Sequence, residues 1–364
     1  IVARLDVTGI CEEPEIAGPG FINLRLSDAW LAGETRRMIT DDRLGHRAVD
    51  DRLHYIIDYS SPNVAKPMHV GHLRSTVIGD ALVQVLRFQG HQVTGDSHIG
   101  DWGTQFGMLI YGYRHFLDQA SYASDVVGEL ARLYRLVSQL SSYHDTRDRL
   151  PGLRERLVER QAELAEHEAA MAEGDKSRKA HARKVRADVS GIEEQIVAGE
   201  AAVATVEGDD RLSEMATGHP DIAEAARRET AKLHAGDSEN LELWKKFLPA
   251  CLEAMDGLYR RLGVEIDMRL GESYFQPMLA GVVEDLQAQG IARESEGAIC
   301  VFVEGNEAPF IVRKSDGAFT YATTDLATIR HRIESLDGDV LLYVVDARQA
   351  EHFKLLFETA RTWG

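Results

Sequence analysis

Apolar residues fill two short runs far apart in the chain, His54-Tyr-Ile-Ile-Asp-Tyr59 and Val340-Leu-Leu-Tyr-Val-Val345, both rich in β-branched and aromatic side chains. Such runs predict buried strands of a parallel sheet. After the first, Ser60 to Met68 breaks the pattern with prolines and an Asn. Leu73, Val77, Ala81, Val85 and Phe88 then recur at helical spacing until Gly90. Gln92 to Ile99 reads as a second strand. Strand, loop, helix and strand make a βαβ unit, so the expected class is α/β, a doubly wound parallel sheet begun near residue 55 and resumed near 340. Gly18 to Leu26 alternates like a short strand after a turn. Helical periodicity runs from Ser238 to Arg261, short strands from about Ala298 to Tyr321 with Ser315-Asp316-Gly317 as a hairpin turn, and a last helix from about Gln349 onward.

The middle of the chain has another texture. From about Arg147 to Val206 it is rich in Ala, Glu, Arg and Lys, and Val185, Val189, Ile192, Ile196, Val203 and Val206 keep a 3,4 spacing with Gly199 in the missing position. Leu150, Leu153, Leu157, Leu164 and Met171 do the same upstream, and Gly174-Asp175 separates the two runs. This predicts an inserted antiparallel helical hairpin over 147–206 with an apolar seam and charged outer faces. A solvated insertion and an arm touching RNA or a partner both fit it.

With 364 residues, two or three domains are expected. No apolar run is long enough to cross a membrane. The chain starts Ile1-Val2-Ala3-Arg4, without an initiator Met, and both ends read as cuts within a longer chain. Cys11, Cys251 and Cys300 are too scattered for a disulfide framework or a zinc site, so buried thiols in a reducing cytoplasm are expected. The net charge of −18 speaks against a nucleic-acid partner, although a basic patch can sit on an acidic protein.

The chemistry is concentrated in Pro67-Met68-His69-Val70-Gly71-His72, where the first strand gives way to its helix. A helix N-terminus offers free N–H groups and partial positive charge to an anion. Gly71 lets a nucleotide lie against the backbone, and His69 and His72 share one face of the first turn. Two imidazoles so placed can donate to phosphate oxygens as charge builds there. A metal pair is the rival use, but no third ligand stands at a convincing spacing.

Asp58-Tyr-Ser-Ser-Pro-Asn-Val-Ala-Lys-Pro-Met-His-Val-Gly-His-Leu-Arg-Ser-Thr76 resembles the HIGH-motif segment of arginyl-tRNA synthetases, and Ile99-Gly-Asp-Trp-Gly-Thr-Gln-Phe-Gly107 is similar to a second hallmark of that family. The resemblance covers roughly residues 14–118 and 227–364 and leaves the hairpin without a counterpart. It implies a class I Rossmann-type catalytic domain that activates L-arginine with ATP and transfers it to tRNA(Arg), with Mg2+ accompanying ATP and no dedicated protein metal site. It further implies a tail of an N-terminal tRNA-contacting domain at 1–30, the two halves of the catalytic domain at 50–146 and 207–364, and a monomer.

The same resemblance assigns an arginine pocket. Tyr321 and Asp325 would hold the guanidinium, Asn63 and Gln349 the α-amino and α-carboxylate end, and Asp58 would be an acidic contact. On residue type alone Asp325 would be a helix cap and Tyr321 a core residue. The family's second signature loop, KMSK, does not occur in the chain. Lys66, three residues before His69, is the lysine expected to bring positive charge to the ATP phosphates instead. An HxGH nucleotidylyltransferase with another substrate, and a noncatalytic paralogue, remain the alternatives.

Overall fold

The computed structural model describes residues 2–64, 68, 70–172, 176–306 and 308–364. It begins with a small antiparallel pair, β1 (Glu15–Ala17) and β2 (Phe21–Asn23), followed by α1 (Asp28–Thr40). Gly18 and Gly20 take positive φ in the reversal, and Ser27 accepts a capping hydrogen bond from the Trp30 amide.

The sheet that matters for function is built from β3 (His54–Asp58), α2 (Val70–Gln89) and β4 (Gln92–Asp96). β3 pairs with β4 in parallel, Tyr55 opposite Val93 and Ile57 opposite Gly95. The second strand was expected to reach Ile99 but ends at Asp96. Beyond it the backbone changes partners, Ser97 donating to the Met268 carbonyl and Gly100 to that of Pro62. α2 lies close on the sheet because Gly79 faces the Tyr59 ring. A Cβ at Gly79 would fall inside the envelope of Tyr59 Cβ and Cγ, and Tyr59 is buried in the main core. Gly79→Ala should therefore cost about 1–3 kcal/mol by overpacking, read as a lower urea midpoint at unchanged m-value.

α3 (Thr104–Phe116), α4 (Gln119–Ser124) and α5 (Val126–Ala172) follow. α5 has 47 residues and passes through Pro151. The change of texture at 147 thus falls inside a helix that starts at Val126 on core leucines, Leu130 and Leu133 being buried against α3 and the sheet. α6 (Lys179–Glu207) returns along α5, with Val185, Val189, Ile192, Ile196 and Val206 buried. Gly199 fills the seam because Leu150 and Thr146 occupy the space a side chain would need. Gly174 and Asp175 lie outside the described residues.

α7 (Asp210–Gly218), α8 (Ile222–His234) and α9 (Ser238–Leu262) lead back to the sheet, and α9 ends on Gly263 in the left-handed conformation. A short turn of helix, α10 (Glu272–Phe275), precedes α11 (Leu279–Ala288) and an antiparallel meander of β5 (Ala292–Ser295), β6 (Ala298–Val301) and β7 (Phe310–Arg313). β5 escaped the sequence reading. Its turn is Glu296-Gly297, both at positive φ, as a two-residue hairpin requires. α12 (Tyr321–Glu334), β8 (Val340–Tyr343) and α13 (Ala350–Trp363) complete the chain. β8 pairs with β3 in parallel, Tyr55 opposite Val340 and Ile57 opposite Leu342, so β3 is central in the order β4-β3-β8. The α/β class with a parallel sheet holds, and the sheet is resumed where the apolar pattern places it. Cys251 and Cys300 are buried, burial raising the Cys251 thiol to about 11, but Cys11 is only partly covered. No helix among the described residues is long and apolar enough to cross a membrane.

Candidate active site

The chain leaves β3 through an unusual turn. Asp58 ends the strand, and Ser60 and Ser61 both have positive φ (70° and 22°), which costs conformational energy for residues with a Cβ. Side chains hold the turn in place. Ser60 Oγ shares hydrogen bonds with Thr76 Oγ1 (2.7 Å) and Tyr259 Oη (2.8 Å). The Ser60 amide donates to Ser75 Oγ (3.1 Å), which donates in turn to the Val344 carbonyl (2.6 Å). Four segments, after β3, in α2, in α9 and after β8, are thereby tied at the carboxyl ends of the strands, where ligands of parallel sheets bind.

The two segments singled out in the sequence meet here. Asn63 forms a parallel bridge with Gly100, and a Cβ on Gly100 would collide with Asn63 Oδ1. The next residue, Asp101, is buried and accepts from the Ser273 amide (2.9 Å) and hydroxyl (2.6 Å). Those bonds set the start of α10 and hence the position of Glu272. Gly271 is required because its Cβ would overlap the Asp101 carboxylate.

Above these ends lies a cavity of about 550 Å³. Asp58, Asn63, Gly71, His72, Tyr321, Asp325 and Gln349 all line it, so every described residue proposed from the sequence reaches one space. His69 and Lys66 lie outside the described residues. Tyr321 is the first residue of α12 and is 67% exposed, not core, and the N-cap position is held by Thr320, whose hydroxyl donates to the Ile311 carbonyl, and not by Asp325. A second recess of about 620 Å³, flanked by Trp102, His234 and Lys314, meets the cavity at Glu272 and Tyr321.

The sequence reading missed four side chains of this region. Arg332, 1% exposed, donates through Nη2 to Asp58 Oδ2 (2.6 Å) and Asp96 Oδ2 (2.6 Å), and through Nε to the same Asp96 oxygen (3.0 Å). Tyr343 packs its ring under that guanidinium at 5.1 Å. Burial alone would lower the Arg332 pKa, but Asp58, Tyr343 and Asp96 more than reverse this and it stays charged. The other oxygen of Asp58 accepts from Ser61 Oγ (2.7 Å). Asp58 is therefore committed inside the protein and supports the cavity wall. Asp325 accepts from His352 Nε2 (2.6 Å). Glu272 is pushed up to about 7, first by burial and then by the charges of Asp101 and Asp325. Neither Glu272 nor Arg332 sits in a motif; each looks like an ordinary helical charge, and only the fold brings it to the strand ends.

A parallel sheet whose central strand leads toward a helix N-terminus beneath such a cavity is the arrangement of a Rossmann-type domain. A family described as "tRNA synthetases class I (R), catalytic domain" matches residues 34–146 and 203–364, which leaves out 147–202 of the hairpin. The chain belongs to this family, the class I arginyl-tRNA synthetase catalytic domains. The arginine–tRNA ligase of Rhodopirellula baltica is 48% identical over 374 residues, covering 100% of this chain and 56% of that protein. That of Cutibacterium acnes is 39% identical over 366 residues, covering 100% of this chain and 52% of its own. The chain thus spans about half the length of the curated relatives it matches. The crystal structure of arginyl-tRNA synthetase from Plasmodium falciparum has the same fold, with a TM-score of 0.63 at 23% identity over 100% of this chain and 51% of that one.

Proposed function

We propose that this chain carries the site at which L-arginine is activated with ATP to arginyl-adenylate before transfer to tRNA(Arg). The observation that supports it best is convergence: Asn63, His72, Tyr321, Asp325 and Gln349 come from four separated segments onto one cavity, with the Asp325 and Glu272 carboxyls in its wall to meet a cation. The arginine–tRNA ligase names of the relatives point the same way.

In this reading the guanidinium lies against Asp325 and Tyr321, the carboxylate oriented by His352. Asn63 and Gln349 take the α-amino and α-carboxylate end. Arginine's carboxylate attacks the α-phosphorus of ATP and pyrophosphate leaves. The N-terminus of α2 with Gly71 and His72, joined by His69 and Lys66, receives the phosphate charge. Mg2+ travels with ATP, bound mainly by phosphate and water, because Asp58, Asp325 and Asp346 already carry Arg332, His352 and Arg348. The adjoining recess gives the tRNA 3′ end access to the adenylate.

Calorimetry with L-arginine and its neutral near-isostere citrulline tests this. Arginine should bind and citrulline should bind at least about 100-fold more weakly, since an unmatched buried carboxylate costs several kcal/mol. Asp325→Asn should lose arginine binding to a similar extent. A folded chain that accepts both ligands equally, or neither, would leave a nucleotide site for another substrate.

A further inference from the structure

No described residue of the α5–α6 hairpin lines the cavity. Its apolar seam is dense at Leu150, Leu153, Ile192 and Ile196. At about 1.5 Å per residue, His167 stands roughly 20 Å further along α5 than Leu153, where Leu164 and Met171 are only partly covered. There Glu163 and His167, one turn apart on α5, meet His181 in the first turn of α6. His181 Nε2 is 3.5 Å and His167 Nε2 3.8 Å from the same oxygen, Glu163 Oε1. One ligand atom from each residue lies within 4.8 Å of the others. Arg160 takes the other Glu163 oxygen and holds this carboxyl below its ordinary range, so it is ionised at neutral pH.

We propose that Glu163, His167 and His181 bind one divalent first-row transition ion of the zinc class, water completing the shell, and that the ion clamps the outer end of the hairpin. A tetrahedral ion with bonds of about 2.1 Å sets its ligand atoms about 3.4 Å apart. Two of the three spacings are already near that value. The third closes by turning His181, whose side chain is 60% exposed. Two imidazoles and one carboxylate suit Zn2+, Ni2+ or Co2+ and not Ca2+ or Mg2+, which want oxygen. No spacing rule discloses such a site, because the third ligand comes from the opposite helix.

The surroundings also supply a sign. Arg178 Nη1 donates to His167 Nδ1 (3.3 Å), which leaves the neutral ring's proton on Nε2, the atom facing Glu163. Metal binding through Nε2 must move or release that proton and displace Arg178. Arg178→Ala should therefore tighten the ion.

The chelator-stripped chain would be titrated with Co2+, followed by the visible absorption of four-coordinate cobalt, and the ion then displaced by Zn2+. We expect one equivalent bound, at least about 100-fold weaker in His167→Ala and in His181→Ala, weaker in Glu163→Gln, and several-fold tighter in Arg178→Ala. His46→Gln, on the exposed imidazole stacked against Phe88, should leave it unchanged. Zn2+ should also raise the melting temperature of the wild-type chain and not of the double variant His167→Ala/His181→Ala. Far-ultraviolet circular dichroism establishes that each variant keeps its helices. Absence of saturable binding, or binding undiminished in the folded double variant, would overturn the site.

Discussion

Replacing Arg332 by leucine should remove about 3–5 kcal/mol of folding stability. Leucine fills much of the volume, but Asp58 and Asp96 would then face each other without a counter-charge at the carboxyl ends of adjacent strands. Asp96 is 2% exposed and Asp58 7%, so water cannot take over the role of the guanidinium. The check is urea unfolding of wild type, Arg332→Leu, and the triple variant Arg332→Met/Asp58→Asn/Asp96→Asn. The triple variant should recover most of the loss, because removing all the charges together leaves none stranded. A loss below about 1 kcal/mol in Arg332→Leu would mean that the pairs seen here add little. Arginine binding should weaken in the same variant, since Asp58 anchors the Ser61 turn beneath the cavity.

Glu272 should make both stability and ligand affinity depend on pH around neutrality. Its folded pKa, about 7, lies above the ordinary carboxyl value of 4.5. A raised folded pKa means that the folded chain keeps a proton which the unfolded chain gives up. The associated stability is full below about pH 4.5 and is lost as pH rises through 7. Between pH 5.5 and 8 this amounts to about 2 kcal/mol. Glu272→Gln abolishes the effect, so its stability relative to wild type should rise by about that much over the interval, measured by urea unfolding at both values. On the proposed function, a bound guanidinium favours the ionised carboxylate. Arginine affinity should then rise about tenfold from pH 6 to 8 in wild type, and by less in Glu272→Gln. Asp101, Asp325 and the His352 that pairs with Asp325 face the same space. The Gln variant isolates the share due to Glu272. A difference between the variants that does not change with pH would show that Glu272 does not titrate in this range.

How much of this the sequence discloses depends on whether the signal is local. The strands at 54 and 340 and the helix from 70 were legible because burial on both faces and a 3.6-residue period write themselves into consecutive residues. The start of α5 was not, since Val126 to Tyr143 packs on the core and its leucines and valines dilute the Ala-Glu-Arg texture that marks the solvated part. β5 was passed over although Glu296-Gly297 is a good two-residue turn, because only four residues precede it. In the cavity, His72 follows from the strand-to-helix motif, whereas Asn63, Tyr321, Asp325 and Gln349 come only from the resemblance, and all five line it. Asp58 was read as facing the ligand, yet both its oxygens are used within the protein. Its partner Arg332 lies 274 positions away, and no spacing rule reaches that far.

The central strand has a consequence for how such a chain is made. β3 draws one neighbour, β4, from the residues that follow it closely, and the other from the far end of the fold: His54 donates to Asp339, 285 positions later. At about 5–20 residues per second, a ribosome would need very roughly 15–60 s to deliver the second neighbour. Through that interval one edge of an apolar strand waits unpaired, while the long helices between fold on local contacts. The newborn chain would be most vulnerable to aggregation in that interval, when chaperones that cover extended apolar segments would have most to protect.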